Sequence, residues 1–189
     1  MFTVDNIFTE KLEIKKSTFI SYIIPYNKFE DYHNYLKKEH KKANHIVWAY
    51  RFLNNYNQII ENQTDDGEPK NTAGKPIQNV LKGKNLINVV IFTVRYFGGI
   101  KLGTGGLVKA YTKSAAKVVA KAKLLDVEKC YIMDFLLDYN KLNFLEYLIK
   151  VNDVKIIDKK FTTNQINVKI KGDKKVLEEI ALSIQNRFH

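Results

Sequence analysis

The stretch Asn88–Leu107, NVVIFTVRYFGGIKLGTGGL, determines how the middle of this 189-residue chain folds. Its first half is β-branched and aromatic, and the continuous apolar run predicts a central strand over Leu86–Phe97. From Leu107 to Lys123, apolar residues recur at three- and four-residue steps, which predicts an amphipathic helix. Between strand and helix lie five of the nine glycines in the chain: Gly98, Gly99, Gly103, Gly105 and Gly106.

Glycines between a strand and a helix allow the backbone to come close to an anion. The free amide groups at the start of the helix supply donors, and the helix dipole favours negative charge there. The spacing lacks the third glycine of a Rossmann fingerprint, and Thr104 stands where a Walker loop needs lysine. We therefore predict no nicotinamide or nucleotide cofactor and no nucleotide hydrolysis. A tight turn that needs positive φ is the alternative interpretation.

Positive charge is concentrated around this stretch. The net charge is +11, but all except three of the 31 basic residues are lysine, so total charge says little about a partner. The window Pro69–Leu125 is more informative, because it holds eleven basic residues and no Asp or Glu. Within it, four lysines recur every fourth residue and form one helix stripe, the lysine stripe: Lys109, Lys113, Lys117 and Lys121. Because no acid lies nearby in sequence, the stripe could bind the phosphate backbone of a nucleic acid. The alternative interpretation is a lysine face that contacts only solvent.

Three carboxylates lie just before the basic window. Asp65, Asp66 and Glu68 fall within four residues, a pattern that suits a magnesium site or acid–base chemistry. Sequence neighbours usually point apart, however, and Asp66-Gly67 with the following Pro69 is also favourable turn chemistry. A third interpretation is that these acids pair with the basic window and fix the loop. We predict no bound metal.

A second strand is predicted over His45–Leu53. Its alternation places Ile46, Trp48, Tyr50 and Phe52 on one face, which we expect to be the core face, and His45 and Arg51 on the other. His45 and Arg51 are then about 20 Å apart, too far to act as a dyad. If this strand lies beside the one that carries Arg95, both arginines line one sheet face suited to phosphate or carboxylate. Ion pairs with the acidic loop are the alternative.

The remaining pattern predicts an α+β protein of two domains, residues 1–126 and 127–189. The first domain alternates strands and helices, with further strands over Ser17–Tyr26 and Gln58–Asn62 and a helix over Ala73–Lys82. The second follows a β-α-β-β-α order, a split β-α-β unit without a full last strand. Its predicted elements are Val127–Leu137, Lys141–Val151, Val154–Thr162, Gln165–Lys171 and Lys174–Phe188.

Cysteine content and hydropathy favour a cytoplasmic protein. The single thiol, Cys130, cannot form an internal disulfide, and we expect it to be a small buried side chain. No stretch reaches the ~18 apolar residues that a bilayer span needs, and the first residues lack a basic signal region. We expect no membrane partner.

Four motifs in order resemble the YigZ/IMPACT family: HIVWAYR at 45–51, DDGEP at 65–69, TAGKP at 72–76 and the stretch Asn88–Leu107. KKSTF at 15–19 resembles the opening segment, with Thr18 where the family usually has arginine. Asn71 stands where a small residue usually precedes Thr72. The resemblance implies a first domain like the second domain of the fifth small-subunit ribosomal protein. It also implies a ferredoxin-like second domain similar to the last domain of elongation factor G, and a pocket of family-motif residues: His45, Tyr50, Arg51, Asp65, Asp66, Glu68, Thr72 and Gly74.

Both likenesses point toward RNA and the ribosome, and eukaryotic members of the family regulate translation initiation. The leading hypothesis is a non-enzymatic RNA- or ribosome-associated protein that affects translation. The sequence identifies no catalytic residue. Two alternatives stay open: a metal-dependent enzyme acting on a phosphorylated small molecule, and a regulator that docks on a translation factor. The candidate phosphate-binding residues are Arg95, Gly98, Gly99, Lys101, Gly103, Thr104, Gly105, Gly106, Lys109, Lys113, Lys117 and Lys121.

Overall fold

A computed structural model describes residues 1–127, 131–152 and 154–187, so that Cys130 lies outside the described residues. The chain divides into two compact units, Met1–Leu125 and Asp126–His189. The elements up to the end of the first unit are β1 (Phe2–Thr3), β2 (Phe8–Ile14), β3 (Ser17–Pro25), α1 (Phe29–Glu39), β4 (His45–Leu53), β5 (Ile59–Thr64), α2 (Gly74–Gly83), β6 (Val89–Tyr96), α3 (Gly103–Lys121) and β7 (Leu125–Asp126). The second unit contains β8 (Tyr131–Asp138), α4 (Tyr139–Val151), β9 (Lys155–Phe161), β10 (Gln165–Gly172) and α5 (Lys174–Arg187).

The first unit is built on a five-stranded sheet in the order β2-β3-β6-β4-β5, in which every neighbouring pair is antiparallel. β6 lies in the middle, and all of its residues except Tyr96 are buried. This confirms the central strand predicted from its continuous apolar run. A strand with neighbours on both edges and helices over both faces needs apolar side chains in both directions.

Helices cover the two faces of this sheet unequally. α2 and α3 pack on one face, where Val47 and Ala49 of β4 are fully buried, while α1 covers the other. The face of β4 that carries Trp48 does pack on a hydrophobic cluster, as expected, but the opposite face is the more deeply buried one. Trp48 and Tyr50 are only half-buried beside α1, and Phe52 is half-buried against Tyr26. Two helices close to the sheet leave room for small side chains, whereas a single helix leaves more surface for large aromatic rings to cover.

The helix after the glycine-rich segment starts earlier than its apolar periodicity predicts. α3 begins at Gly103 rather than Leu107, so that Gly105 and Gly106 lie in its first turn. The sequence does not predict this first turn as helical, because glycine has a low helix propensity and costs about 1 kcal/mol relative to alanine in a helix. Residues 97–102 form the connecting loop from β6 to α3.

The second unit has a three-stranded antiparallel sheet in the order β8-β10-β9. One face packs against α4 and α5 around Leu145, Ile166 and Leu177. The β-α-β-β-α order with the third strand in the centre is ferredoxin-like without a described fourth strand. In the described parts of both units, no helix is long and apolar enough to span a membrane.

Candidate phosphate-binding site

The pairing of β4 with β6 brings His45 directly opposite Arg95, so both side chains project from the face that α3 covers. Arg51 shares this face but lies at the far end, opposite Val89. Its Nε donates to Glu61 Oε1 at 2.7 Å, and its Nη1 donates to the Leu86 carbonyl at 3.0 Å. The two arginines therefore cannot hold one small ligand together.

Glu68 is the centre of a buried polar cluster at the His45 end. Its Oε1 accepts hydrogen bonds from Arg95 Nη1 at 2.5 Å and from the Tyr111 hydroxyl at 2.7 Å. His45 Nε2 lies 3.9 Å from the same oxygen. Burial, followed by the charge of Glu68, raises the pKa of Tyr111 far above its ordinary value. Tyr111 therefore stays protonated and donates at any physiological pH.

The other two acids of the loop have separate roles. Asp65 accepts from the backbone amides of Asn71, Ala73 and Gly74 at 2.7–3.0 Å, which holds the start of α2. Asp66 Oδ2 accepts from the Ile46 amide at 2.6 Å. The described residues contain no group of three or more His, Cys, Asp or Glu that could hold a metal ion. The three carboxylates therefore serve as fixed structural acceptors, and Glu68 alone pairs with the basic window.

His45 is held in one tautomer by the same loop. Its Nδ1 lies 2.7 Å from the Asp66 carbonyl oxygen, which can only accept, so Nδ1 carries the proton. In the neutral ring, Nε2 is then an acceptor. The Cβ of a side chain at position 67 would lie 3.5 Å from this imidazole, and Gly67 has a φ of +85°. The sharp turn at Gly67 thus places the loop backbone against His45.

A cavity of about 410 Å³ opens between this cluster and the start of α3. The residues that line it include His45, Glu68, Arg95, Lys101, Gly103 and Thr104. Arg95 is only 6% exposed, and its guanidinium carbon lies 5.5 Å from the centre of the Phe19 ring and 5.6 Å from that of Phe97. Its Nε has no hydrogen-bond partner among the described residues. A buried cation that is already paired with Glu68 therefore lines the cavity, and its unsatisfied Nε is closed off from solvent.

The glycines before and within the first turn of α3 have different reasons to be glycine. A Cβ at Gly98 would lie 2.0 Å from the backbone of Lys16, so close packing alone requires glycine there. Gly99 and Gly103 have φ values of +85° and +72°, a left-handed region that favours glycine. A Cβ at Gly105 meets nothing within 4 Å, and its φ is not in that region. The fold requires glycine at the first three positions but not at Gly105.

The lysine stripe is partly neutralised by an acid far away in sequence. Glu10 of β2 lies 3.3 Å from Lys117 Nζ and 3.2 Å from Lys121 Nζ. Hydrogen bonds from Lys121 and Lys117 lower the pKa of Glu10 below its ordinary value. The expectation that the stripe stays unpaired is thus wrong for its second half, since the sheet brings β2 beside α3. Lys109 and Lys113 are exposed and have no ion pair among the described residues.

The eight family-motif residues do not form one pocket. His45 and Glu68 line the cavity, with Asp66 bonded to the His45 strand, whereas Asp65, Thr72 and Gly74 form the turn into α2. Tyr50 lies on the opposite sheet face, and Arg51 is at the far end of β4. Sequence reasoning missed Tyr111 and Glu10. Tyr111 fits the apolar period of α3, and no local pattern reveals that either residue meets a charged partner.

Comparisons with known proteins assign this chain to a family. The Impact N-terminal domain matches residues 15–119, more than half of the chain. An IMPACT family member from Haemophilus influenzae is 40% identical over 119 residues, covering 61% of this chain and 56% of that protein. IMPACT family member YvyE from Bacillus subtilis is also 40% identical over 119 residues, covering 61% of this chain and 54% of that protein. The chain thus matches little more than half the length of these curated relatives.

A solved structure extends the likeness beyond the matched domain. A crystal structure described as that of a hypothetical protein covers 99% of this chain and 92% of its own. The TM-score is 0.64 and the sequence identity 26%. This agreement confirms the α+β fold class, with a ferredoxin-like unit after the first domain.

Proposed function

Because this chain belongs to the Impact N-terminal domain family, we propose that it regulates translation in the cytoplasm as a non-enzymatic RNA-binding protein. Its partner is RNA, either free or on the ribosome. The observation that carries the proposal is a set of unpaired lysines in a window without acids. Four of the eleven basic residues in Pro69–Leu125 are ion-paired (Lys82, Arg95, Lys117, Lys121), which leaves seven without an ion pair among the described residues.

Lys109 and Lys113 form the strongest part of this surface. They lie on one face of α3 about 6 Å apart along its axis, and both are exposed. Unpaired like charges at this spacing repel each other, so a polyanion that binds both relieves the repulsion. Lys117 and Lys121 are also exposed, but both already form ion pairs with Glu10. We therefore assign RNA backbone contact first to Lys109 and Lys113.

Salt dependence of RNA affinity tests this assignment. Each lost phosphate contact to single-stranded RNA reduces the slope of log affinity against log salt by about 0.7. Lys109→Gln with Lys113→Gln should therefore flatten the slope by up to about 1.4. Fluorescence anisotropy of a labelled oligoribonucleotide across a salt series measures it. Lys117→Gln with Lys121→Gln is the matched control, with the same charge change on the same helix and a smaller expected effect.

Glu10→Gln supplies the converse measurement. Removing this acid releases Lys117 and Lys121, so RNA should bind more tightly and the slope should steepen. An unchanged slope after the first double substitution, or equal losses from both double substitutions, would contradict the assignment. A protein partner that is retained after nuclease treatment, with no RNA binding by the purified chain, would instead favour docking on a translation factor.

No observation favours the metal-dependent enzyme. Asp65, Asp66 and Glu68 bond to different parts of the first unit and do not converge on one point. Glu68 Oε1 is already engaged by Arg95 and Tyr111.

A further inference from the structure

We propose that a pocket on α4, in the second unit, binds a guanine base of single-stranded RNA. This pocket, the α4 pocket, measures about 490 Å³ and is lined by Asn140, Asn143, Phe144, Tyr147 and Arg187. Its volume is within the usual range for small-molecule sites and accommodates a nucleobase. The proposal rests on the proposed function for its ligand, because it adds a base contact to the phosphate contacts of the lysines on α3.

The α4 pocket lies on a face of the helix that the core does not use. Its four residues from α4 recur at positions i, i+3, i+4 and i+7, so they share one face. The core side of the helix carries Leu145 and Ile149, which are buried. On the pocket side, Tyr147 is 60% exposed, and Asn140 and Asn143 are exposed as well. Packing on the sheet needs only one apolar stripe, so it does not explain the exposed ring of Tyr147.

Two nearly parallel aromatic rings line the α4 pocket. The ring centres of Phe144 and Tyr147 are 6.5 Å apart, and the angle between their planes is 16°. Together they present a flat apolar surface wider than one ring. Unpaired RNA bases stack on exposed aromatic side chains of this kind, because every base has a π face. The rings therefore suit a base better than a phosphate group.

Arg187 supplies the polar contact beside these rings. Its guanidinium carbon lies over the face of the Phe144 ring, 4.2 Å from the ring centre. Arg187 is exposed and has no ion pair among the described residues, and no described Asp or Glu lines the pocket. Glu146, the acid of this helix, pairs instead with Lys159 of β9. The aromatic ring thus holds the guanidinium in place and leaves its N–H donors for a ligand.

The donors of Arg187 favour guanine among the four bases. A guanidinium presents two parallel N–H groups, and guanine has two adjacent acceptors, O6 and N7, on one edge. Adenine has a donor beside its N7, and the pyrimidines offer less ring area for stacking. The side-chain amides of Asn140 and Asn143 have no hydrogen bond among the described residues. Each amide can both donate to and accept from the remaining polar atoms of the base.

The test uses 3′-labelled oligouridine strands of one length with guanosine, adenosine or uridine at the central position. The full chain should bind the guanosine strand at least about fivefold more tightly than either of the others, the lower limit for one bidentate base contact. Tyr147→Ala should weaken binding of the guanosine strand by about 5-fold to 150-fold, the range for one base stacked on an aromatic ring. Stacking neutralises no phosphate, so the slope of log affinity against log salt should not change. Tyr56→Ala is the matched control, because Tyr56 is 84% exposed and has no ring contact among the described residues.

Arg187→Lys tests the base preference separately. Lysine keeps the positive charge but lacks the planar pair of donors, so the guanosine strand should bind no more tightly than the adenosine strand. Guanosine, which has no phosphate, should shift the amide NMR signals of α4 in the unchanged chain but not in Tyr147→Ala. Both variants should keep the urea midpoint, since both side chains are exposed.

The outcomes separate the α4 pocket from the proposed function. Equal binding of the guanosine and adenosine strands, or equal effects of Tyr147→Ala and Tyr56→Ala, overturns the base site and leaves the lysines of α3 to be judged by the salt slope. Guanosine binding at α4 in a chain that binds no RNA supports the pocket and overturns RNA binding. A protein partner that Tyr147→Ala releases, with no response to guanosine, also overturns the base site, since this face would then dock on a protein.

Discussion

Glu68 contributes a negative charge to the cavity wall, and its carboxylate has almost no contact with water. Its side chain is 3% exposed, and that of its partner Arg95 is 7% exposed. An ion pair removed from water loses hydration, so its stability depends on the number of hydrogen bonds that replace it. The Tyr111 hydroxyl is the second donor to Glu68 Oε1 and comes from α3 rather than the sheet. One hydroxyl therefore joins the helix to the polar cluster.

Replacing Tyr111 by phenylalanine tests this single bond. The ring still packs edge-on against Phe19, and only the hydroxyl is lost. Hydrogen bonds to charged groups contribute about 1.5–3 kcal/mol, so the free energy of unfolding should fall by about that amount. Urea denaturation measures it, with Tyr35→Phe at a half-exposed position of α1 as the control. A loss no larger than in the control would show that Glu68 needs only Arg95.

Among secondary-structure elements, strands and their central or edge positions were predictable where the apolar pattern is strong. β4 spans His45–Leu53 as predicted, and β6 is central because its run of apolar side chains can be buried only there. The sequence could not show which face of β4 the paired helices cover, because that face carries His45 and Arg51 whereas the other carries the larger apolar side chains. It also could not show that β2 brings Glu10 beside α3, because that contact joins residues more than one hundred positions apart.

Glu61 joins three elements of the first unit, and acid should weaken that junction. It lies on β5 and bonds to Arg51 of β4 and Lys82 of α2. Burial acts to raise the pKa of Glu61, but the bonds from Lys82 and Arg51 outweigh it and hold the pKa below the ordinary 4.5. A carboxylate with a lowered pKa stabilises the fold fully above its ordinary pKa. This stabilisation disappears as the pH falls through the folded value.

We therefore expect Glu61→Gln to lower the urea midpoint at neutral pH and to lose part of the decline in stability that the unchanged chain shows below about pH 4.5. Urea titrations at a series of pH values from neutral to about pH 3 provide the comparison. Glu30→Gln is the control, because Glu30 is exposed and has no ion pair among the described residues. If the two variants have parallel pH profiles, Glu61 does not hold the junction.

At the scale of the whole molecule, each unit has a hydrophobic cluster of its own. The first unit surrounds its sheet with two clusters, whereas the second has one cluster that includes Phe135 and Ile184. A unit of about sixty residues withdraws only about 60% of its extended-chain surface from water, which leaves it marginally stable. The larger first unit, in which the cavity and the unpaired lysines lie, should therefore be the more stable of the two.

Separate clusters predict that damage to one core leaves the other folded. Leu145 is fully buried in the second unit, and Leu145→Ala in the full chain should cost about 2–5 kcal/mol there. Hydrogen exchange should then show lost amide protection in β8, β10 and the helices that cover them, with β6 and α3 still protected. Ile77→Ala, at a fully buried position of the first unit, should give the reverse pattern. Because the phosphate-binding residues all lie in the first unit, Leu145→Ala should retain the salt slope for RNA, whereas loss of protection in both units would show one cooperative fold.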